Sequence, residues 1–233
     1  MTTGLVINAE KAVCGHPGEA AGLTERQGAS SLSVSESDFV ALPGGVRREL
    51  PRAAVTSRRR ITVTLVLRRR SPIPDQLIEG PDTLGRELFA ERHGADPVDV
   101  EIVRASLKGL GLEVGESDLG TRKVVVSAQS GTLVRVFGTK LHVVHDGERV
   151  RTGELWIPAE LDGIVVAVLG LDDGPGEFLT ALAAAVHAEP TPPVLDLGGT
   201  LADEDWTGQE RAVLADVLAD AAALGIKVVP PRR

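Results

Sequence analysis

The chain has no tyrosine, one methionine and one cysteine, and aromatic residues make up 3% of its 233 positions. A single thiol, Cys14, excludes an intramolecular disulfide framework and any metal site built on several cysteines. With so few aromatics the core must be made of Val, Leu, Ile and Ala, and a hydrophobic fraction of 42% is enough to build one. No apolar run approaches the roughly 20 residues that span a bilayer. The N-terminal residues show no basic segment leading into an apolar stretch, so no signal peptide is read. A soluble, cytoplasmic protein without a membrane partner is expected, with secretion by another route left open. Excess positive charge is missing as well: the net charge of −8 argues against nucleic acid as a partner, which calls for a basic footprint.

The one basic concentration is arginine: Arg47, Arg48, Arg52, Arg58, Arg59, Arg60, Arg68, Arg69 and Arg70. A polyanion or partner patch is one reading. The favoured one is solvated charge flanking the strand Ile61–Leu67, since charged flanks keep strands soluble.

Met1 to Asp38 is rich in Gly, Ser, Thr, Ala and Glu without sustained periodicity and reads as a disordered leader. Val40 to Pro51 looks extended, broken at Pro43-Gly44-Gly45. Ile61–Leu67 is β-branched and apolar, a buried strand that Pro72 and Pro74 stop. Leu84 to Arg92 suits a short helix. Asp96 caps the next, with Pro97 at its first position and a stripe of Val100, Val103, Leu107 and Leu110. Leu112–Gly115 and Lys123–Ser127 bracket a hairpin turn. Ser130 is placed as the cap of a helix carrying Leu133, Val134 and Phe137. Leu141–His145 and Arg149–Arg151 flank the turn pair Asp146-Gly147, and Ile164–Leu169 is a further strand. This β-α-β-β-α-β order predicts an α+β fold, a ferredoxin-like antiparallel sheet backed by helices on one face.

Gly174-Pro175-Gly176 marks a boundary. Beyond it come an apolar helix, Phe178–Ala188, a strand at Val194–Leu197, and a long helix, Thr207–Leu224. That helix has a capping box of Thr207 and Glu210 and an apolar face of Val213, Leu214, Val217, Leu218, Ala221 and Leu224. Ile226–Val229 closes a small strand-helix-strand α/β unit, which implies a parallel pair.

Several words in order carry a family likeness: FVALPGGVRRELP, ITVTLVLRRRSPIPD, ELFAERHGADPVDV, VVVSAQSGTLVRVFGTKLHVVHDG and IPAELDGIVVAVLGLDD. Together, over Phe39 to Asp173, they resemble the activation domain of the sedolisin (kumamolisin-like, serine-carboxyl) peptidases. That domain's fold agrees with the ferredoxin-like reading. The segment PTPPVLDLGGTLADEDWTGQERAVLADVLADAAALGIKVVP is similar to the interior of the sedolisin catalytic domain. The expected organisation is therefore a leader (1–38), a propeptide-like domain (39–173) and a catalytic-domain-like fragment (174–233) packing on the propeptide sheet.

The resemblance also says what to look for chemically. Family members carry a Glu followed four residues on by an Asp, which puts both carboxylates on one helix face. No Glu here has an Asp at that spacing. The family's nucleophilic Ser follows Gly-Thr, whereas Gly138-Thr139 is followed by Lys140 and Gly199-Thr200 by Leu201. The strand after ADAAALGIKVV leads in the family to an oxyanion-stabilising Asp, and Pro230-Pro231-Arg232-Arg233 offers none. No catalytic residue, metal or cofactor is assigned, and the chain is read as not an enzyme.

Functional positions then rest on the resemblance alone. Asp172, Asp173, Gly174, Pro175, Gly176 and Glu177 correspond to the propeptide linker, substrate-like in the family. Phe178–Ala188 and Thr207–Leu224 look like the helices on which a propeptide sheet docks, with Val213, Leu214, Val217, Leu218 and Ala221 as the docking face. Other residues receive plainer readings. His142 and His145, with Asp146 and His93, do not form a metal site, because residues three apart on a strand face opposite ways. Asp203-Glu204-Asp205 is an acidic approach to a helix N-terminus, and Gly198-Gly199 beside it does not suit phosphate. Trp156 and Trp206 are read as packing residues, with the interface between the two parts as one place for them, and His187 needs no catalytic role.

The leading expectation is a catalytically inactive binding or scaffold module with a protein partner, or itself as a homodimer. One alternative is a propeptide acting in trans on a separate sedolisin-type peptidase, its Asp172 to Thr180 laid across the active cleft. Another is new chemistry between propeptide and fragment.

Overall fold

In the segment RITVTLVL every second side chain is a bulky aliphatic, and this alternation sets two faces of one strand. The computed structural model describes residues 38–47, 59–143, 149–190, 192–197 and 206–229. Residues 1–37 of the leader, Arg48, Arg52, Arg58, His145, Asp146, Gly198-Gly199, Asp203-Glu204-Asp205 and the C-terminal Pro230 to Arg233 lie outside the described residues. Ser35–Arg233 form one compact unit.

The first strand, β1 (Phe39–Ala41), is short, and β2 (Arg60–Leu67) is the aliphatic one. Three helices follow: α1 (Asp75–Glu79), α2 (Arg86–His93) and α3 (Pro97–Gly109). The chain continues through β3 (Glu113–Asp118), β4 (Lys123–Gln129), α4 (Ser130–Val136), β5 (Lys140–Val143), β6 (Arg149–Thr152), β7 (Trp156–Pro158) and β8 (Val165–Leu169). Last come α5 (Gly176–Val186), β9 (Val194–Asp196), α6 (Gly208–Ala223) and β10 (Lys227–Val229).

The main sheet runs β3-β4-β2-β8, antiparallel throughout. With α3 joining β2 to β3 and α4 between β4 and β8, this is the ferredoxin-like order the sequence predicts. Register is fixed by cross-strand aliphatic pairs, Ile61 with Ala128, Val63 with Val126 and Leu65 with Val124. These side chains face α3 and α4 and form the first core with Val100, Val103, Leu107, Leu133 and Val136. α3 begins as expected: the Asp96 carboxylate accepts from the Val98 N–H, and Pro97 opens the helix. Ser130 does not cap α4. It is the first helical residue, and Gln129 stands at the cap position without a side-chain bond.

Two further hairpin-like pairs flank the sheet, β5 with β6 and β1 with β7. The second of these joins residues at opposite ends of the activation-domain-like region. β9 and β10 pair in parallel on either side of α6.

Candidate functional site: the second face of the sheet

The alternate side chains of β2 and β8 point away from α3 and α4. Val66, Ala167 and Leu169 are buried there in a second core, against Leu179, Leu182, Ala183 and Val186 of α5 and Val213, Val217 and Ala221 of α6. Both helices present the face their spacing calls for. Of the positions assigned to the docking face, Val213, Val217 and Ala221 are buried, while Leu214 and Leu218 pack on the cluster from its margin. Trp206, with Phe178 meeting it edge-on at 6.3 Å, closes the same cluster. Trp156 does not bridge the two parts: it sits in β7, packed over Gly138, and its backbone N–H donates to the Phe137 carbonyl.

Close approach of backbones makes this contact possible. A side chain on Gly176 would come within 2.9 Å of the Gly170 nitrogen, so the start of α5 rests directly on the end of β8. Gly44, at φ +73°, lets its carbonyl accept the Gln209 N–H at 3.2 Å, and a Cβ there would lie 3.0 Å from that nitrogen.

Charge pairs stand at both ends of α6. On one side the Arg47 guanidinium reaches both Asp172 and Glu210 at 2.7 Å. Glu210 is the capping-box residue of α6, its carboxylate accepting from the Thr207 N–H at 2.7 Å. Arg151, buried behind, donates to the Gly45 carbonyl at 2.7 Å and faces Asp172 at 4.0 Å. Burial pushes the Asp172 carboxyl up from its ordinary value in spite of these two guanidiniums, and lowers Arg151 in the same way.

On the opposite side Arg69 binds Asp220 and donates to the Asp216 carbonyl at 3.0 Å. Arg122 spans from the Leu67 carbonyl to the Asp216 carboxylate, each at 2.9 Å. His187, just past α5, contacts Asp220 at 3.2 Å through Nε2. Phe89 of α2 lies against both His187 and His93, at 5.8 and 5.4 Å between rings.

The arginines next to the sheet are therefore not uniformly solvated, as their sequence setting suggested. Arg69 keeps 11% of its side chain exposed and Arg47 15%, and each closes on a carboxylate of α6. Arg68 turns the other way, gripping Asp99 of α3 with two bonds of 2.7 and 2.9 Å. Each of these partnerships crosses a long stretch of sequence. Nothing near the arginines themselves signals them.

The linker positions fall in a compact corner. Asp172 is buried, Asp173 is held by Arg149, whose backbone N–H and guanidinium both donate to it, and Gly176 and Glu177 already belong to α5. The Arg149 contacts hold the Asp173 carboxyl below its usual range, although partial burial opposes them. From Gly176 to Thr180 the stretch is helical, and Asp172 to Pro175 form bends and a turn, so it is not an extended strand. His142 is buried with Nε2 on the Thr152 hydroxyl at 2.9 Å, and His93 contacts the Ser71 carbonyl at 3.2 Å. Among the described residues no group of three or more His, Cys, Asp or Glu is placed to hold a metal. No described helix is long and apolar enough to cross a membrane.

Residues 80–173 match the family model of the pro-kumamolisin activation domain. That stretch is similar to a pro-kumamolisin activation domain. The matched span begins after β2, yet β2 is the central strand of its sheet, paired with β4 on one side and β8 on the other. The domain's second sheet face is the one lying against α5 and α6, which follow the matched span. No curated protein sequence matches the chain. An activation domain by itself is not catalytic.

Proposed function

We propose that the chain works as a non-enzymatic binding or scaffold module, in which a pro-kumamolisin activation domain is kept together with a fragment of the surface it docks on. The observation that carries this reading is the second core: α5 and α6 lie on the sheet face with their apolar stripes inward. The likeness of residues 190–230, which hold α6, to the interior of a sedolisin catalytic domain supports taking that helix, with α5 beside it, as that docking surface. A propeptide whose docking face is filled from its own chain has no such face to offer a separate peptidase. Asp172, buried between Arg47 and Arg151, is likewise withdrawn from presentation as a substrate-like strand.

Titration of the intact chain into an active kumamolisin-type peptidase tests this. Weak or absent inhibition is expected. Stoichiometric inhibition would favour the propeptide acting in trans and would overturn the scaffold reading.

A further inference from the structure

A helix lying on a sheet needs one apolar stripe, and α3 has two. Val100, Val103 and Leu107 face the first core. On the opposite side Val98, Ile102, Ala105 and Gly109 follow one another at intervals of four, three and four residues, and all four are exposed. Val98 keeps 65% of its surface in solvent and Ile102 38%, the first of these more than any other large apolar side chain among the described residues. Such spacing is the heptad pattern of a seam between two helices.

The seam is complementary to itself. Laid antiparallel about a twofold axis between residues 103 and 104, two copies of α3 set Ile102 against Ala105 of the partner subunit. The same axis sets Val98 against Gly109 of the partner subunit, so each layer matches a larger side chain with a smaller one. There is room for the valine, because a Cβ built on Gly109 meets nothing within 4 Å. Charge agrees with this register. Glu101 and Lys108 flank the seam on one side, one heptad apart, and both are exposed. Antiparallel pairing brings Glu101 to the partner's Lys108, and the twofold axis repeats the contact. Glu101 meets Arg104 through Oε1 at 3.6 Å, which leaves Oε2 for the partner.

We propose that α3 is the docking helix of a homodimer, in which a second copy of this chain packs its own α3 antiparallel across a twofold axis. The proposal does not rest on the scaffold reading, since α3 lies on the face of the sheet away from α5 and α6. At 13 residues the helix is about 20 Å long. The seam is therefore short, and a dissociation constant of roughly 10–300 µM is expected for a contact below the standard interface size.

Sedimentation equilibrium of the full-length chain from about 5 to about 500 µM tests this across the expected range, with a reductant present so that Cys14 cannot link chains. Ile102→Glu puts a carboxylate into the seam twice per dimer and should weaken association at least about tenfold. The position is exposed in the monomer, so an unchanged urea midpoint at low concentration is expected beside it. Glu101→Lys and Lys108→Glu each bring like charges together and should each weaken the dimer about threefold or more at low salt. The double variant restores opposite charges across the axis and should recover the original affinity. A chain that stays monomeric at about 500 µM would overturn the proposal. So would association unchanged in Ile102→Glu, or a double variant no tighter than the single ones.

Discussion

Arg122 is a non-glycine residue in the left-handed region, at φ 58°, and almost fully buried. A conformation of that kind costs on the order of 1–3 kcal/mol and persists only where surroundings over-determine it. Here they do: its carbonyl accepts the Leu67 N–H at 2.8 Å, and its guanidinium ties β2 to Asp216 of α6. Beside it Lys123 makes a second statement about burial. The folded chain lowers its pKa from 10.5 to about 8, with desolvation the main cause. Between those two values the unfolded chain holds a proton on this amine that the folded chain has given up. Stability contributed by this residue therefore rises with pH across that window. Urea unfolding at several pH values should show a rise from about pH 8 to about pH 10.5 that is absent in Lys123→Met. A parallel pH response in the two proteins would reject the buried-amine account.

Among the elements, those with a strong period or a cap were legible in the sequence. The alternation of β2, the Asp96-Pro97 start of α3 and the Thr207–Glu210 box of α6 all encode local rules, and the structure follows each. What was not legible depends on distant partners. β1 and β7 are strands of three residues with no period to read, and they exist because each supplies the other's hydrogen bonds across the domain. α1, at five residues with no buried side chain, has no stripe to betray it. The arginine ties were hidden for the same reason, since Arg47 and Glu210 are 163 positions apart. The α6 box is more than a local signal, because its Glu210 also receives Arg47. Thr207→Ala, which removes a hydroxyl donating to Glu210 at 2.8 Å, should cost about 1–2 kcal/mol by thermal or urea unfolding. A loss confined to α6 fraying, with no change in the global midpoint, would mean that the helix is not coupled to the fold.

For the whole molecule, the two cores share one sheet. The strands β2 and β8 send Leu65 and Val168 to one side and Val66, Ala167 and Leu169 to the other, so neither core can dissolve without exposing half of the other's support. The activation-domain sheet and the α5–α6 layer should then unfold together. Leu179 is the place to ask, since it is fully buried and belongs to the second core. Leu179→Ala should destabilise by about 2–5 kcal/mol, as expected for a large-to-small change in a packed core. Because the layers are coupled, hydrogen exchange should speed up not only in α5 and α6 but equally in the amides of β2 and β4 in the sheet beneath them. Regions that open in one cooperative event share one opening free energy. If instead α5 and α6 exchange freely while β2 and β4 keep their protection, the helices are a loosely held tail, the sheet face is available to an outside partner, and the propeptide would be free to act in trans.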